Sequence, residues 1–173
     1  ARAHVTTQSA TKIHSMDANF AMQTQAFFVG EGAYLEFLPD PLIPHRQARF
    51  ASDTRITIDP SASMLYSEIV QPGRRHHHPD ECFGVTLLSL ATTAVRPGGE
   101  PLFNEKLLIE PLRNPMRQAG VMNGFDVFGN VILCTPPEIA ERVLAQIDAD
   151  VDSARGVAFG ACRLPNDAGL IYK

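Results

Sequence analysis

Over residues 3–109 the chain alternates apolar and polar side chains with a period of two, interrupted by short clusters of Gly, Pro and Asp. Alternation of this kind puts one set of side chains on each face of a pleated strand, so it restricts the chain to sheets with one buried face. Residues 3–13, 20–29, 33–38, 54–58, 64–70, 85–95 and 102–109 are the predicted strands. Gly30-Glu31-Gly32 offers positive-φ residues for a tight hairpin, and Asp59-Pro60-Ser61 fixes a turn through the proline ring and the aspartate acceptor. Pro97-Gly98-Gly99-Glu100-Pro101, between two long strands, is the clearest hairpin signal. The expected fold is mainly β, with packed antiparallel sheets in a sandwich- or solenoid-like arrangement and one or two α-helices.

A weak internal echo runs at an offset of 29 residues, Val29-x-x-x-Ala33-x-Leu35-x-Phe37 against Ile58-x-x-x-Ala62-x-Met64-x-Tyr66. Stacked solenoid layers would produce it, but two copies alone read as a coincidence between β-hairpins. One helix is expected after Thr135-Pro136-Pro137-Glu138, a capping box with Thr135 as N-cap and proline at the first helical position. Ile139, Val143, Leu144 and Ile147 then form its apolar stripe. A strand over residues 131–134 precedes it, and a hairpin of residues 157–164 and 170–172 follows, turned at Pro165-Asn166-Asp167-Ala168-Gly169. A single domain is expected over residues 1–173. Both ends lie in strand-like sequence, so N- and C-terminal flanks are expected to be missing.

With 45% hydrophobic and 20% charged residues the chain has the composition of a globular domain. Its net charge of −4 argues against nucleic acid or an anionic membrane surface as a partner, since both need clustered Lys and Arg. The longest uncharged run, Cys82 to Val95, is too short to cross a bilayer as a helix. Cys82, Cys134 and Cys162 are odd in number and widely spaced, neither a disulfide framework nor a metal motif, which fits a reducing cytoplasm.

The most chemically loaded segment is Arg74-Arg75-His76-His77-His78-Pro79-Asp80-Glu81-Cys82. His76, His77, His78, Asp80, Glu81 and Cys82 carry imidazole, carboxylate and thiol groups that divalent ions such as nickel accept. Against this, neighbours on an extended strand point to opposite faces and the two arginines repel a cation, so an inert polar loop accounts for the segment as well. The sequence has no HExxH, GxSxG, P-loop or strand-linked GxGxxG pattern. Glu36 and Glu68, on predicted strands, are a carboxylate pair that could serve as acid and base of a hydrolase on a β-sandwich, with a separation set by the fold; isolated strand carboxylates that face solvent account for them as well. A carbohydrate-binding module would expose a row of aromatics, and the chain has no Trp and three Tyr.

Three stretches together resemble the UreD (UreH) family of urease accessory proteins. They are Val5-Thr6-Thr7-Gln8-Ser9-Ala10-Thr11-Lys12, then Gly32-Ala33-x-Leu35-Glu36-Phe37-Leu38-Pro39-x-Pro41, then the ordered series Leu65-x-x-Glu68, Gly73-Arg74, Glu81-x-Phe83 and Glu100-Pro101-Leu102-x-x-Glu105. Phe37 stands where the family usually has Trp, Asp80 where it usually has Gly, and the link carrying the histidines is longer than usual. The resemblance implies a mostly β, non-catalytic scaffold in the cytoplasm between apo-urease and UreF-type and UreG-type partners. It also implies no tightly bound cofactor and transient Ni2+, led along an internal polar passage lined by Thr11, Glu68 and Glu105. Glu36 would be a further passage or interface position. Hydroxyl and carboxylate oxygens are weak, exchangeable ligands, appropriate to handing an ion on.

Overall fold

The computed structural model describes residues 1–152 and 154–173, and its strands wind as a coil before they fold back as hairpins. The first turn of the coil holds β1 (Arg2–Val5), β2 (Thr11–Ile13) and β3 (Ala21–Val29). The second holds β4 (Tyr34–Phe37), β5 (Leu42–Pro44) and β6 (Arg49–Ile58), and the third holds β7 (Ser63–Val70) and β8 (Leu87–Val95). β1, β4 and β7 pair in parallel in one sheet, β2 and β5 join it, and β3, β6 and β8 pair in parallel in a second. The mainly β expectation therefore holds, whereas the antiparallel pairing expected for this region is replaced by stacked parallel layers. Alternation encodes which face a residue takes and carries no strand direction. For the same reason the Gly30–Gly32 and Asp59–Ser61 turns are corners that pass the chain from one sheet to the other.

The echo read as coincidence is the coil itself. Val29 lies in register with Ile58, Leu35 with Met64, and Phe37 with Tyr66, so the matched positions of the two copies stack. Ile58, Ala62, Met64 and Tyr66 are almost fully buried, and the rings of Phe37 and Tyr66 stack at 6.0 Å.

Beyond the coil the chain reverts to antiparallel pairing. β9 (Pro101–Ile109) folds back on β8 across the Pro97–Pro101 turn, as the sequence predicts. β10 (Phe128–Cys134) pairs with β7; α1 (Pro137–Leu144) follows; β11 (Asp150–Asp152) pairs with β12 (Val157–Phe159). β13 (Ala161–Arg163) and β14 (Gly169–Tyr172) form the terminal hairpin, but the arm expected over residues 157–164 is split, since residues 157–159 pair with β11 instead; β14 adds to β10. α1 starts one residue later than the capping box requires. Its N-cap is Pro136, without a side-chain cap, because the Thr135 hydroxyl is engaged with Ser63 Oγ at 2.6 Å.

The two sheets close over two separate apolar clusters. One contains Ile56, Ile58, Met64, Ile132 and Ile171, and the other Phe50, Val70, Leu88, Leu90 and Ile109. β6, β7 and β8 each supply residues to both, with polar inward residues between: Ser52 and Thr54 on β6, Glu68 on β7, Thr92 on β8.

Ile56 is fully buried at the centre of the second sheet. Ile56→Ala is expected to cost about 3 kcal/mol of stability, read from the shift of the urea midpoint at unchanged slope.

Candidate functional site

The polar residues between the clusters form a layer that follows from register. On the second sheet Gln25 pairs with Thr54, Thr54 with Thr92, and Thr92 with Glu105, giving one row across four strands. On the first sheet Glu68 pairs with Asn130, and Lys173 stands one step beyond the Val131–Tyr172 pair. Residues level with one another on paired strands share a face, so both rows point into the space between the sheets.

Hydrogen bonds run through the layer in one direction. Gln25 Nε2 donates to Thr54 Oγ1 at 3.2 Å, and Tyr66 Oη donates to Glu68 Oε1 at 3.2 Å. Thr54 Oγ1 and Tyr66 Oη lie 3.4 Å apart. Because the single Tyr66 proton goes to Glu68, Thr54 is the donor between them. The chain of donors therefore ends on a carboxylate.

Glu68 is 9% exposed and, among the described residues, forms no ion pair. Burial is the main force raising its pKa, to about 7; the Tyr66 hydrogen bond opposes this and the Glu105 charge adds to it. Burial likewise raises the Tyr66 hydroxyl, which stays protonated and available as a donor. Glu105 differs, since Lys173 Nζ lies 2.5 Å from its Oε1. On the other side of Glu68 a cavity of about 50 Å³ opens between the sheets, lined in part by Thr7, Thr11, Gln25, Asp40, Tyr66 and Glu68. Asp40 and Thr7 brace its rim, the Asp40 N–H donating to Thr7 Oγ1 at 2.9 Å.

Thr11 and Glu68 both line the cavity, and Glu105 stands in the polar row of the facing sheet, near enough for its charge to raise the Glu68 pKa. Glu36 does not join them. It lies on the outer face of β4, where Tyr34 Oη (2.5 Å) and His4 Nδ1 (2.8 Å) bind it and hold its pKa below the usual carboxylate range. Glu36 and Glu68 point to opposite sides of the first sheet, so they cannot face one substrate as acid and base.

The histidine segment sits apart, in the loop between β7 and β8. Glu81 does not project as a ligand; it fastens the loop. Its carboxylate accepts from Arg74 Nη2 at 2.6 Å and from the Arg46 N–H at 3.0 Å, and Arg74 lowers its pKa to about 2. Gly73, at φ 121°, passes so close to the Glu81 carbonyl that a Cβ there would lie 2.2 Å from the oxygen. His76, His77 and His78 are exposed. His76 Nε2 accepts from Arg75 Nε at 3.2 Å and His78 Nδ1 from the Asp80 N–H at 3.2 Å. Cys82 Sγ lies 3.5 Å from Arg117 Nη2. Among the described residues no three His, Cys, Asp or Glu side chains come together to hold a metal ion. No described helix is long and apolar enough to cross a membrane.

Tyr66, Asn130, Gln25, Thr54, Thr92 and Lys173 are layer residues that sequence reasoning missed. Their signal was present as a polar residue at an inward position of an otherwise apolar row, such as Thr92 between Leu90 and Ala94.

The raised pKa of Glu68 sets a sign. Between about pH 4.5 and about pH 7 the unfolded chain has released this proton and the folded chain retains it. Stability therefore falls as pH rises through that window, by about 3 kcal/mol in total. Glu68→Gln is expected to remove this component, which denaturation midpoints at about pH 5 and about pH 8 will reveal. Glu81→Gln is expected to cost about 2 kcal/mol and to admit proteolytic cutting within residues 74–80, as mapped by mass spectrometry of a limited digest.

A model of the UreD urease accessory protein family matches residues 1–173. The urease accessory protein UreD of Yersinia pseudotuberculosis serotype O:1b (strain IP 31758) is 54% identical over 171 residues, 99% of this chain and 53% of the relative. That of Yersinia enterocolitica is 53% identical over 177 residues, 99% of this chain and 54% of the relative. Urease accessory protein UreD 2 of Brucella canis (strain ATCC 23365 / NCTC 10854 / RM-666) is 48% identical over 172 residues, 99% of this chain and 57% of the relative. The chain spans about half the length of these curated relatives.

Proposed function

The chain belongs to the UreD family of urease accessory proteins, and from that membership we propose that it serves urease maturation as a non-catalytic scaffold through which Ni2+ passes. In this reading the ion enters at the cavity beside Thr11, meets the Glu68 carboxylate between the sheets, and leaves at Glu105. UreF-type and UreG-type proteins stand at the supplying side and apo-urease at the receiving side, in the cytoplasm.

The observation that carries the reading is Glu68, a buried carboxylate without a cation partner among the described residues, in a polar layer that runs between two apolar clusters. A packed interior has no use for such a group, because desolvating it costs stability that a leucine would not. A divalent ion in transit supplies the missing counter-charge for as long as it is there. The ligand chemistry agrees: hydroxyl, phenol and carboxylate oxygens bind nickel weakly and exchange it, where histidine or cysteine would retain it. The hydrolase alternative gains nothing from the geometry, since Glu36 and Glu68 lie on opposite faces.

The test separates passage from assembly. Glu68→Gln and Glu105→Ala are each expected to lower urease activation about tenfold or more, while pull-down of apo-urease and of the UreF-type partner is unchanged. Full activation by both variants overturns the passage. Loss of pull-down assigns the residues to the fold or an interface.

A further inference from the structure

We infer that Asn130 supplies a second oxygen ligand to the cation at Glu68, through its side-chain amide oxygen. The inference rests on the passage reading above and adds to it a residue and a ligand geometry.

Asn130 is 3% exposed on the inward face of β10, and its Oδ1 is buried without a hydrogen-bond partner. Among the described residues no donor of the layer bonds to it. The Gln25, Thr54 and Tyr66 donors are used in sequence and end on Glu68, and the Lys173 ammonium is engaged with Glu105. A buried amide oxygen in that position is costly, and packing does not call for it, since Ile132, the next inward residue of the same strand, is apolar and fully buried. Asn130 stands in antiparallel register with Glu68. Side chains so paired have Cβ atoms about 5 Å apart on the same face, a separation across which one cation touches an oxygen from each.

The chemistry of the pair differs from that of two carboxylates. Glu68 supplies the charge that draws a divalent cation out of water, and Asn130 supplies coordination without further charge. The ion is thus bound by geometry as well as by attraction, and nothing there holds it as a thiolate or imidazole would. Glu105, the next carboxylate, carries its own ammonium partner, so among the described residues Glu68 is the uncompensated negative group facing Asn130.

The experiment is titration calorimetry of the native protein with Ni2+ as the probe, near pH 7.5, with melting temperature recorded for each variant. Asn130→Leu is expected to weaken Ni2+ binding about tenfold and to raise the melting temperature, because it removes an unpaired buried oxygen and leaves a side chain of similar size. Asn130→Asp is expected to tighten Ni2+ binding about tenfold and to slow its release to a chelator. Unchanged Ni2+ affinity in Asn130→Leu, or a lowered melting temperature with it, overturns the inference and leaves Asn130 a structural residue. Glu68→Gln separates the two failures. If Glu68→Gln weakens binding and Asn130→Leu does not, the passage survives and the second ligand does not. If neither variant weakens binding, both readings fall.

Discussion

Parallel stacking of successive coils in fixed register is the constraint on which the rest of the structure depends. When Ala21 lies against Phe50 and Tyr34 against Ser63, every inward residue of one coil meets an inward residue of the next. A slip of one residue would turn all of them to solvent, because side chains on a strand alternate with period two. Register thus converts a one-dimensional pattern into rows that run across the sheets. Apolar rows condense into the two clusters, and polar rows become a layer between them. The chain needs no special loop to make that layer. It needs polar residues at corresponding inward positions of neighbouring strands, which Gln25, Thr54, Thr92 and Glu105 provide.

Such a layer is paid for by the clusters on either side. Ile56, Ile58 and Met64 above it, and Leu88 and Leu90 below it, are at most 2% exposed. Full burial of a side chain of that size contributes about 1.5–3 kcal/mol. Against this, the hydroxyls of Thr54 and Tyr66 cost little, because they are hydrogen-bonded in sequence. The groups left over are Glu68, whose charge is opposed by its surroundings, and the Asn130 oxygen. They are neighbours, in register on β7 and β10.

Much of this was legible in the sequence, and the omissions have physical causes. Strand positions, the β8–β9 hairpin and the terminal hairpin all follow from alternation and turn chemistry. Strand direction does not, since a glycine-rich corner between stacked sheets and a hairpin turn use the same residues, as Gly30-Glu31-Gly32 shows. The coil was visible as the 29-residue echo, but a repeat stated twice in short, alternating segments carries little weight until stacking is seen. Thr135 was misassigned because its hydroxyl had a tertiary partner, Ser63, as well as the local one offered by the helix. Thr11, Glu68 and Glu105 were singled out by family likeness. Their spatial relation is set by pairing across strands far apart in sequence, and the same holds for Asn130, which only β7–β10 register brings to Glu68.

The two carboxylates of the layer are not equivalent, and the difference bears on direction. Glu68 is enclosed and without a counter-ion, so an arriving cation meets an acceptor that nothing else neutralises. Glu105 is about a third exposed along its side chain and already holds the Lys173 ammonium, itself 43% exposed. To occupy Glu105 a cation must displace Lys173, whose long flexible stem can swing into solvent at small cost, an exposed pair of this kind being worth at most about 1 kcal/mol. In the proposed passage a cation would meet one uncompensated carboxylate and then a second that is guarded by a replaceable charge. An ion at the second station shares its ligand with a competing ammonium and is held more weakly there than charge alone would suggest. In the proposed passage Glu68 is therefore the stronger station, and the returning lysine favours release of an ion that has reached Glu105.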